Sequence, residues 1–283
     1  MDQAQAQAWL GAYLQRIGLG HVPPPTPEGL AQVQRAHRLA IAFENLDILL
    51  GRGIPLPLDQ VAAKLLGQRR GGYCFEQNGL FGAMLGAMGL ANRPLLARVW
   101  VQAGDSMPAR THTLRLVAAG GQVWVADAGF GMGYVPPLPL LDGASAVADG
   151  FVHRLRRAGK PGRQAGEWLL ERAEAQVPRG QRREWQPQYG FDVAEVAPID
   201  LEMANHWTST RPATRFTMGP VVSIVVDGGF AALTGRRLTM RHHGRGDVME
   251  VADPEDWRAV LADLFHIALS AADVARLWAL CGA

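Results

Sequence analysis

One of the two cysteines, Cys74, stands in the run RGGYCFEQNG, from Arg70 to Gly79. A cysteine does chemistry as a thiolate, and it needs a base to form that thiolate and a group to orient the base. Two glycines precede Cys74 and a helix-like pattern follows it. The thiol is therefore expected in the first turn of a helix, where unpaired N–H groups and the helix dipole favour negative charge. Gly71 and Gly72 carry no Cβ, so another chain or a ligand can approach closely there. His112 lies in THTLRLV and Asp127 ends VWVAD. On extended strands, His112 shares a face with Leu114 and Leu116, and Asp127 shares one with Val123 and Val125. A buried carboxylate is costly without a partner. The short AAGGQ turn between the two runs predicts antiparallel pairing, which brings His112 beside Asp127, the arrangement a carboxylate needs to orient an imidazole. Singly, Cys74 reads as a small core hydrophobe and His112 as a satisfied core histidine. Together the three residues predict a Cys-His-Asp triad. Cys281, at the C-terminal end of the last helix, is expected to be the inert thiol.

The elements that must hold these residues can be read along the chain. Gln3 to Ile17 has the apolar spacing of an amphipathic helix. Thr26 and Pro27 open a second helix. Gly51 to Pro57 is a loop, Asp59 is expected to cap a third helix through Leu66, and Gly72 to Gly89 reads as a fourth, ended by glycine. From Arg93 the texture turns to strands: PLLARVWVQ, THTLRLVAAG, GQVWVADAGFG, FVHRLRR and EWLLERA, which suggest a barrel or strongly curved sheet. Val135 to Pro139 reads as irregular. The arginine-rich stretch Arg154 to Arg183, with its interspersed glutamates, reads as a solvated strand face rather than a phosphate-binding patch. A third unit begins near Asp200. It holds a strand, a DGG hairpin and a return strand, then helices capped by Asp253 and Ser270. The boundaries expected are 1–90, 91–199 and 200–283.

Composition excludes several classes. With 283 residues and 48% hydrophobic side chains the chain can bury a sizeable core. The 28 Lys plus Arg nearly balance 26 Asp plus Glu, for a net charge of +2, so nucleic acid is not an expected partner despite a pI of 8.7. No apolar run is long enough for a membrane span, and the first residues lack the pattern of a signal peptide. Two cysteines make no disulfide framework, and a reducing cytoplasm is the expected compartment. No metal is expected, because Cys74 and His112 lack companions at zinc-ligand spacing and the adjacent His242 and His243 read as surface residues. Neither a Walker A loop nor a dinucleotide glycine fingerprint is present.

RGGYCFEQN, followed by THTLRLV and DAGFG, resembles the arylamine N-acetyltransferases. FENLD (Phe43 to Asp47), HWTSTRPATRF (His206 to Phe216) and LFHIALS extend the likeness over about residues 40 to 271. The resemblance implies an α+β multidomain fold: an N-terminal helical bundle, a central β-barrel and a C-terminal α/β lid around a cysteine-protease-like catalytic core. It implies Cys74, His112 and Asp127 as the catalytic residues. Phe130, Val99 and Gly131 are implied in substrate binding, and Glu44 and Arg70 as structural support. The last two are expected to form a buried ion pair bracing the Cys74 turn. Thr208, Ser209 and Thr210 are candidates for the CoA phosphates by the resemblance alone. Ala42 stands where the family usually has proline, and Trp100 and Val101 fall on a variable strand that shapes the acceptor pocket.

The implied reaction is a two-step transfer: acetyl from acetyl-CoA to Cys74, then to the nitrogen of an arylamine, hydrazine or arylhydroxylamine, in a monomer or homodimer. Two other enzymes could use the same three residues. One is an amide synthase of this fold acting in secondary metabolism; the other is a transglutaminase-like or cysteine hydrolase that needs no CoA. A non-catalytic binding module is the third class, and an intact triad argues against it.

Overall fold

A computed structural model describes residues 3–101, 103–104, 106–178 and 180–282. The first third is mainly helical: α1 (Gln3–Arg16), α2 (Pro27–Ala40), α3 (Leu46–Leu49), α4 (Leu58–Ala62) and α5 (Cys74–Ala87), with one short strand, β1 (Phe43–Glu44). Thr26 caps α2 by accepting from the Gly29 N–H, and Pro27 sits just inside. The Asp59 cap expected from the sequence is not formed. Pro57 precedes α4 and Asp59 lies within its first turn, because the fixed φ of proline starts the helix one residue earlier than a side-chain cap would. The third helix also does not run straight to Leu66. It widens into a π-turn over Ala63–Gly67, and Arg69 follows in the left-handed region, φ 53°. The chain doubles back there, with the Arg70 N–H on Lys64 O at 3.1 Å. The helix expected from Gly72 to Gly89 begins two residues later, at Cys74, and ends at Ala87 with Gly89 at φ 86°.

Eight strands form a barrel-like sheet in the order β5-β4-β3-β2-β9-β8-β7-β6. They are β2 (Asn92–Val99), β3 (His112–Ala119), β4 (Gln122–Ala126), β5 (Leu138–Pro139), β6 (Ser145–Ala148), β7 (Phe151–Arg157), β8 (Trp168–Glu174) and β9 (Gln186–Phe191). The two end strands, β5 and β6, are joined by only the residues 140–144, so the sheet must curl back on itself. Its interior holds Leu95, Ala97, Leu114, Leu155, Leu170 and Tyr189, among others. The strand read as PLLARVWVQ ends at Val99, and its last residue, Gln102, lies outside the described residues. The β3–β4 turn is the one expected: Ala119 faces Gln122, and Gly120 and Gly121 both have positive φ, 57° and 73°, as a type I′ turn requires.

The last third adds β10 (Val221–Val226), β11 (Gly229–Thr234), β12 (Arg237–His242) and β13 (Arg245–Glu250), and helices α6 (Pro198–Thr210), α7 (Arg215–Met218), α8 (Pro254–Asp263) and α9 (Ala271–Trp278). Asp253 and Ser270 cap α8 and α9 as read. Two features tie this region to the start of α5. The FENL segment, as β1, pairs antiparallel with β10, Phe43 opposite Ser223. Its other edge meets the RGG turn: Glu44 N–H donates to Gly72 O (3.1 Å), and Gly72 N–H to Ala42 O (3.2 Å). A Cβ on Gly71 would lie 2.2 Å from Ala42 O, and one on Gly72 2.8 Å from Glu76 Oε2. The two glycines thus serve a close approach between chain segments.

Candidate active site

Cys74 is the first residue of α5, and the sequence around it explains why the helix starts there. Glu76, at the third helical position, accepts from the Tyr73 N–H (Oε2, 3.0 Å). This satisfies one of the donors a helix N-terminus leaves free. The first turns of α5 are buried all round, Glu76, Gln77 and Asn78 included. The thiol of Cys74, only 3% exposed, donates to Thr111 O at 3.6 Å, which places it at the start of β3 beside His112.

His112 and Asp127 meet. The ring Nε2 lies 2.7 Å from Asp127 Oδ2, and both side chains are buried. The register explains it: Arg115 faces Ala126, so Asp127, just past the end of β4, falls opposite Leu114, a diagonal neighbour of His112 on the same face. Leu114 is buried as expected. Val123 is not buried with Asp127; it is 43% exposed, close to the β3–β4 turn, although Ala118 pairs with it on one side and the Leu140 N–H bonds its carbonyl on the other. Burial disfavours charge on His112, but the Asp127 carboxylate, with Cys74 beside the ring, outweighs it and pushes the pKa up to about 10. For Asp127, burial acts upward. The His112 ring and hydrogen bonds from Asn78 and the Gly129 N–H outweigh it, so its carboxyl lies below the usual value. The two shifts agree: an imidazolium–carboxylate pair is favoured at neutral pH.

Several residues that hold this arrangement were not read from the sequence. Asn78, one turn along α5 from Cys74, donates to Asp127 Oδ1 (2.9 Å) and Thr113 O (2.7 Å), and accepts from the Ala128 N–H (3.0 Å). One amide thus ties α5 to β3 and to the residues that follow β4. On α2, Gln34 accepts from the Asp127 N–H (2.9 Å) and donates to Val135 O (2.6 Å). Arg38, one turn later, donates to Ala128 O and Met132 O. Together they clamp the loop that carries Phe130. Beneath α5, Gln77 donates to Ala42 O (2.7 Å) and Gly72 O (3.1 Å), so its Oε1 must accept from His37 Nε2 (2.5 Å). Nδ1 of His37 then accepts from the Tyr13 hydroxyl (2.9 Å). Burial holds that ring neutral, with its pKa lowered to about 3. The sequence signal was the polar trio Glu76, Gln77 and Asn78 in a helix otherwise built of core residues.

Glu44 and Arg70 also come together, Nη2 to Oε1 at 2.7 Å, both buried. They belong to a larger cluster. Arg70 Nη2 also reaches Asp47 Oδ1 (3.2 Å), and Lys64 Nζ lies 2.8 Å from Asp47 and 2.7 Å from Glu76. Phe130 is half-buried; its ring stands edge-on to His112 (centroids 5.2 Å) and to Tyr189 (5.0 Å). Val99 faces Tyr189 on β9, two positions from Ala97, which faces His112; it therefore shares the ring's side of the sheet. Gly131 lies against the Phe43 ring. Thr208, Ser209 and Thr210 have their hydroxyl hydrogens directed at carbonyls of α6 itself, at 2.6, 2.8 and 2.6 Å. A cavity of about 410 Å³ opens between β2, the segment before β3 and α6, lined by Leu96, Arg110, Asp192, Met203, Ala204 and Trp207; Arg110 precedes Thr111 in the chain. His242 and His243 are exposed. The arginines at 154, 156 and 157 pair with Glu171 and Glu167. Among the described residues no group of three or more His, Cys, Asp or Glu could hold a metal ion, and no helix is long and apolar enough to cross a membrane.

A family model described as N-acetyltransferase matches residues 26–274. An arylamine N-acetyltransferase of Mycolicibacterium smegmatis is 38% identical over 241 residues, 83% of each chain. The chain belongs to the arylamine N-acetyltransferase family. Solved structures of that family superpose closely. The Salmonella typhimurium enzyme gives a TM-score of 0.87 at 33% identity, over 96% of this chain and 98% of that one. The Mycobacterium marinum enzyme, solved in complex with CoA, gives 0.83 at 34% identity, over 96% and 98%. An arylamine N-acetyltransferase acts on acetyl-CoA, so the acyl donor expected from the sequence is that of the family.

Proposed function

We propose that this chain transfers acetyl from acetyl-CoA to the nitrogen of arylamines, hydrazines or arylhydroxylamines, through an acetyl group carried on Cys74. The observation that carries this reading is the buried His112–Asp127 pair at 2.7 Å beside a cysteine at a helix N-terminus. His112, protonated at neutral pH, stabilises the Cys74 thiolate. The thiolate attacks the thioester carbonyl; the new S–C bond forms as the bond to the CoA sulfur breaks, and His112 gives its proton to the departing thiolate. In the second step the now neutral His112 takes a proton from the attacking amine, and the Cys74 thiolate leaves. The starting ion pair is restored. Asp127 holds Nε2 throughout, leaving Nδ1 to exchange protons with Cys74 and the substrates.

A weakly basic aromatic amine suits this cycle, because it is neutral and nucleophilic at pH 7. The cleft beside Thr111 is the route by which substrates reach the thiol, and Phe130, Val99 and Gly131 shape the acceptor end. In this reading residues 1–90 form a helical bundle with the nucleophile, 91–199 a barrel with the histidine and aspartate, and 200–283 a lid, around a core arranged as in cysteine proteases. Glu44 and Arg70 brace the nucleophile turn. The chain works in the cytoplasm, as a monomer or homodimer. Mass spectrometry after mixing with acetyl-CoA tests the proposal. One acetyl on the Cys74 peptide, discharged by an arylamine, is the expected result. No acetyl gain together with peptide cleavage would replace it with the hydrolase, and acylation only by a tethered chain with the amide synthase.

A further inference from the structure

The cluster at the start of α5 joins three carboxylates, Glu44, Asp47 and Glu76, to two cations, Lys64 and Arg70. Arg70 is taken up by Glu44 and Asp47. Among the described residues Glu76 has one cation in reach, Lys64 Nζ on Oε1 at 2.7 Å, while its Oε2 holds the Tyr73 N–H at 3.0 Å. Glu76 is therefore in conflict. Its carboxylate starts the helix, yet it places a negative charge two residues from a cysteine that must itself become negative. Such a charge opposes a thiolate unless something cancels it.

Lys64 is delivered to this spot by backbone irregularity. The π-turn Ala63–Gly67 and the left-handed Arg69 let the chain double back, with the Arg70 N–H on Lys64 O at 3.1 Å. Single π-turns recur at functional sites because they re-aim a side chain. Burial pushes the Glu76 carboxyl up to about 7 against the pull of Lys64, with Glu44 adding to the rise. The same three carboxylates hold Lys64 charged, its pKa raised despite burial.

We propose that Lys64 is a positioning residue for the nucleophile: by neutralising Glu76 it lets that carboxylate start the Cys74 helix without opposing the Cys74 thiolate. This rests on Cys74 being the nucleophile. The groups facing Glu76 are Lys64, Glu44 and the Tyr73 N–H, with Asp47 and Arg70 behind them on Lys64 and Glu44.

Alkylation of Cys74 by iodoacetamide against pH, followed on the Cys74 peptide by mass, reads the effect directly. An uncancelled charge within about 10 Å at an effective dielectric near 20 corresponds to about one pH unit. Lys64→Met is expected to move the labelling midpoint up by at most about that much, because Glu76, raised to about 7 even beside Lys64, takes up a proton in part when the cation is lost. Lys64→Arg should retain the parent midpoint, and Lys64→Met with Glu76→Gln should recover it. A merely structural lysine would lower stability without moving the midpoint, and would not be rescued by removing Glu76. A folded Lys64→Met protein with an unchanged midpoint overturns the proposal, as does a double variant that fails to recover it. If Lys64→Met does not fold, Glu76→Gln alone decides: the midpoint should fall, and an unchanged one overturns the proposal. The readout needs no acetyl donor, so failure of Cys74 to carry acetyl would show separately.

Discussion

Asp127→Asn separates the charge of the triad from its shape, and the protein contains its own reference for the outcome. His37 is as buried as His112, but its partners, Tyr13 and Gln77, are neutral, and burial lowers its pKa to about 3. His112 is held at about 10 because its partner is a carboxylate. Asparagine keeps the volume and can keep hydrogen bonds to Asn78 and Gly129, but it removes the charge. His112 in Asp127→Asn is thus expected to behave as His37 does. A ring with a pKa near 3 is protonated about once in 10⁴ at pH 7, and a triad that loses its aspartate this way loses about 10⁴-fold in turnover. Acetylation of Cys74 by acetyl-CoA, followed by mass in a quenched time course, should therefore fall by up to about 10⁴-fold. Circular dichroism should be unchanged, and the His112 ring, followed by NMR, should be neutral at pH 7. A folded variant that acetylates Cys74 within about tenfold of the parent, or whose ring stays charged, would refute the assignment of Asp127.

Other expected outcomes follow from the same geometry. Cys281 is half-buried with its pKa raised to about 11 by burial, so Cys281→Ser should leave the transfer rate unchanged while Cys74→Ser abolishes it; equal losses would show the nucleophile misplaced. Losing either partner of the buried Glu44–Arg70 pair should cost roughly 3–5 kcal/mol. Thermal unfolding of Arg70→Ala, Glu44→Ala and the double variant should show a coupling energy, and strictly additive losses would count against a shared contact. The His112–Asp127 pair makes stability pH-dependent at both ends. The histidine's raised pKa contributes stability that is present below pH 6.5 and lost as pH rises through about 10. The aspartate's lowered pKa contributes stability present above 3.8 and lost as pH falls below it. Melting temperatures of Asp127→Asn should be flatter than the parent's above pH 6.5, where the raised histidine pKa is gone, but should fall more steeply between about pH 6.5 and 4, where a buried neutral ring resists the proton that the unfolded chain takes up; parallel curves would contradict the linkage. Phe130→Ala should change the relative rates for different arylamines far more than the rate of acetylation by acetyl-CoA, and an equal loss in both steps would place Phe130 outside the acceptor pocket.

The meeting of His112 and Asp127 beside Cys74 was legible because the parts are local. A cysteine after RGG, a histidine on an alternating strand and an aspartate at the end of the next strand can be paired by reading one hairpin, and the Gly120–Gly121 turn has the geometry the sequence asks for. The Asp253 and Ser270 caps were legible for the same reason. What failed was also local but overruled from outside. Val123 alternates in step with Val125, but close to the β3–β4 turn it stays exposed. Asp59 is a good cap type, but Pro57 had already fixed the start of the helix. Strand β9, with proline and glycine in QPQYGF, lacks strand propensity and exists because β2 and β8 flank it on both sides.

The residues that tune the site were hidden for a different reason: each is defined by a partner far along the chain. Gln34 and Arg38 are unremarkable polar positions on α2 until the loop after Asp127, some 90 residues on, is laid against them. Glu44 and Arg70 could be matched in advance, because a buried FENL segment left one charge in need of another. Lys64 could not. It stands in a π-turn that the pattern VAAKLLG does not announce, and its partners Asp47 and Glu76 lie on other elements. A charge count on the sequence pairs Glu44 with Arg70 and leaves Glu76 at a helix N-terminus, where a carboxylate is ordinarily welcome. Only with the cluster assembled is it clear that the same dipole is asked to support both Glu76 and the Cys74 thiolate, and that the one remaining cation must be Lys64.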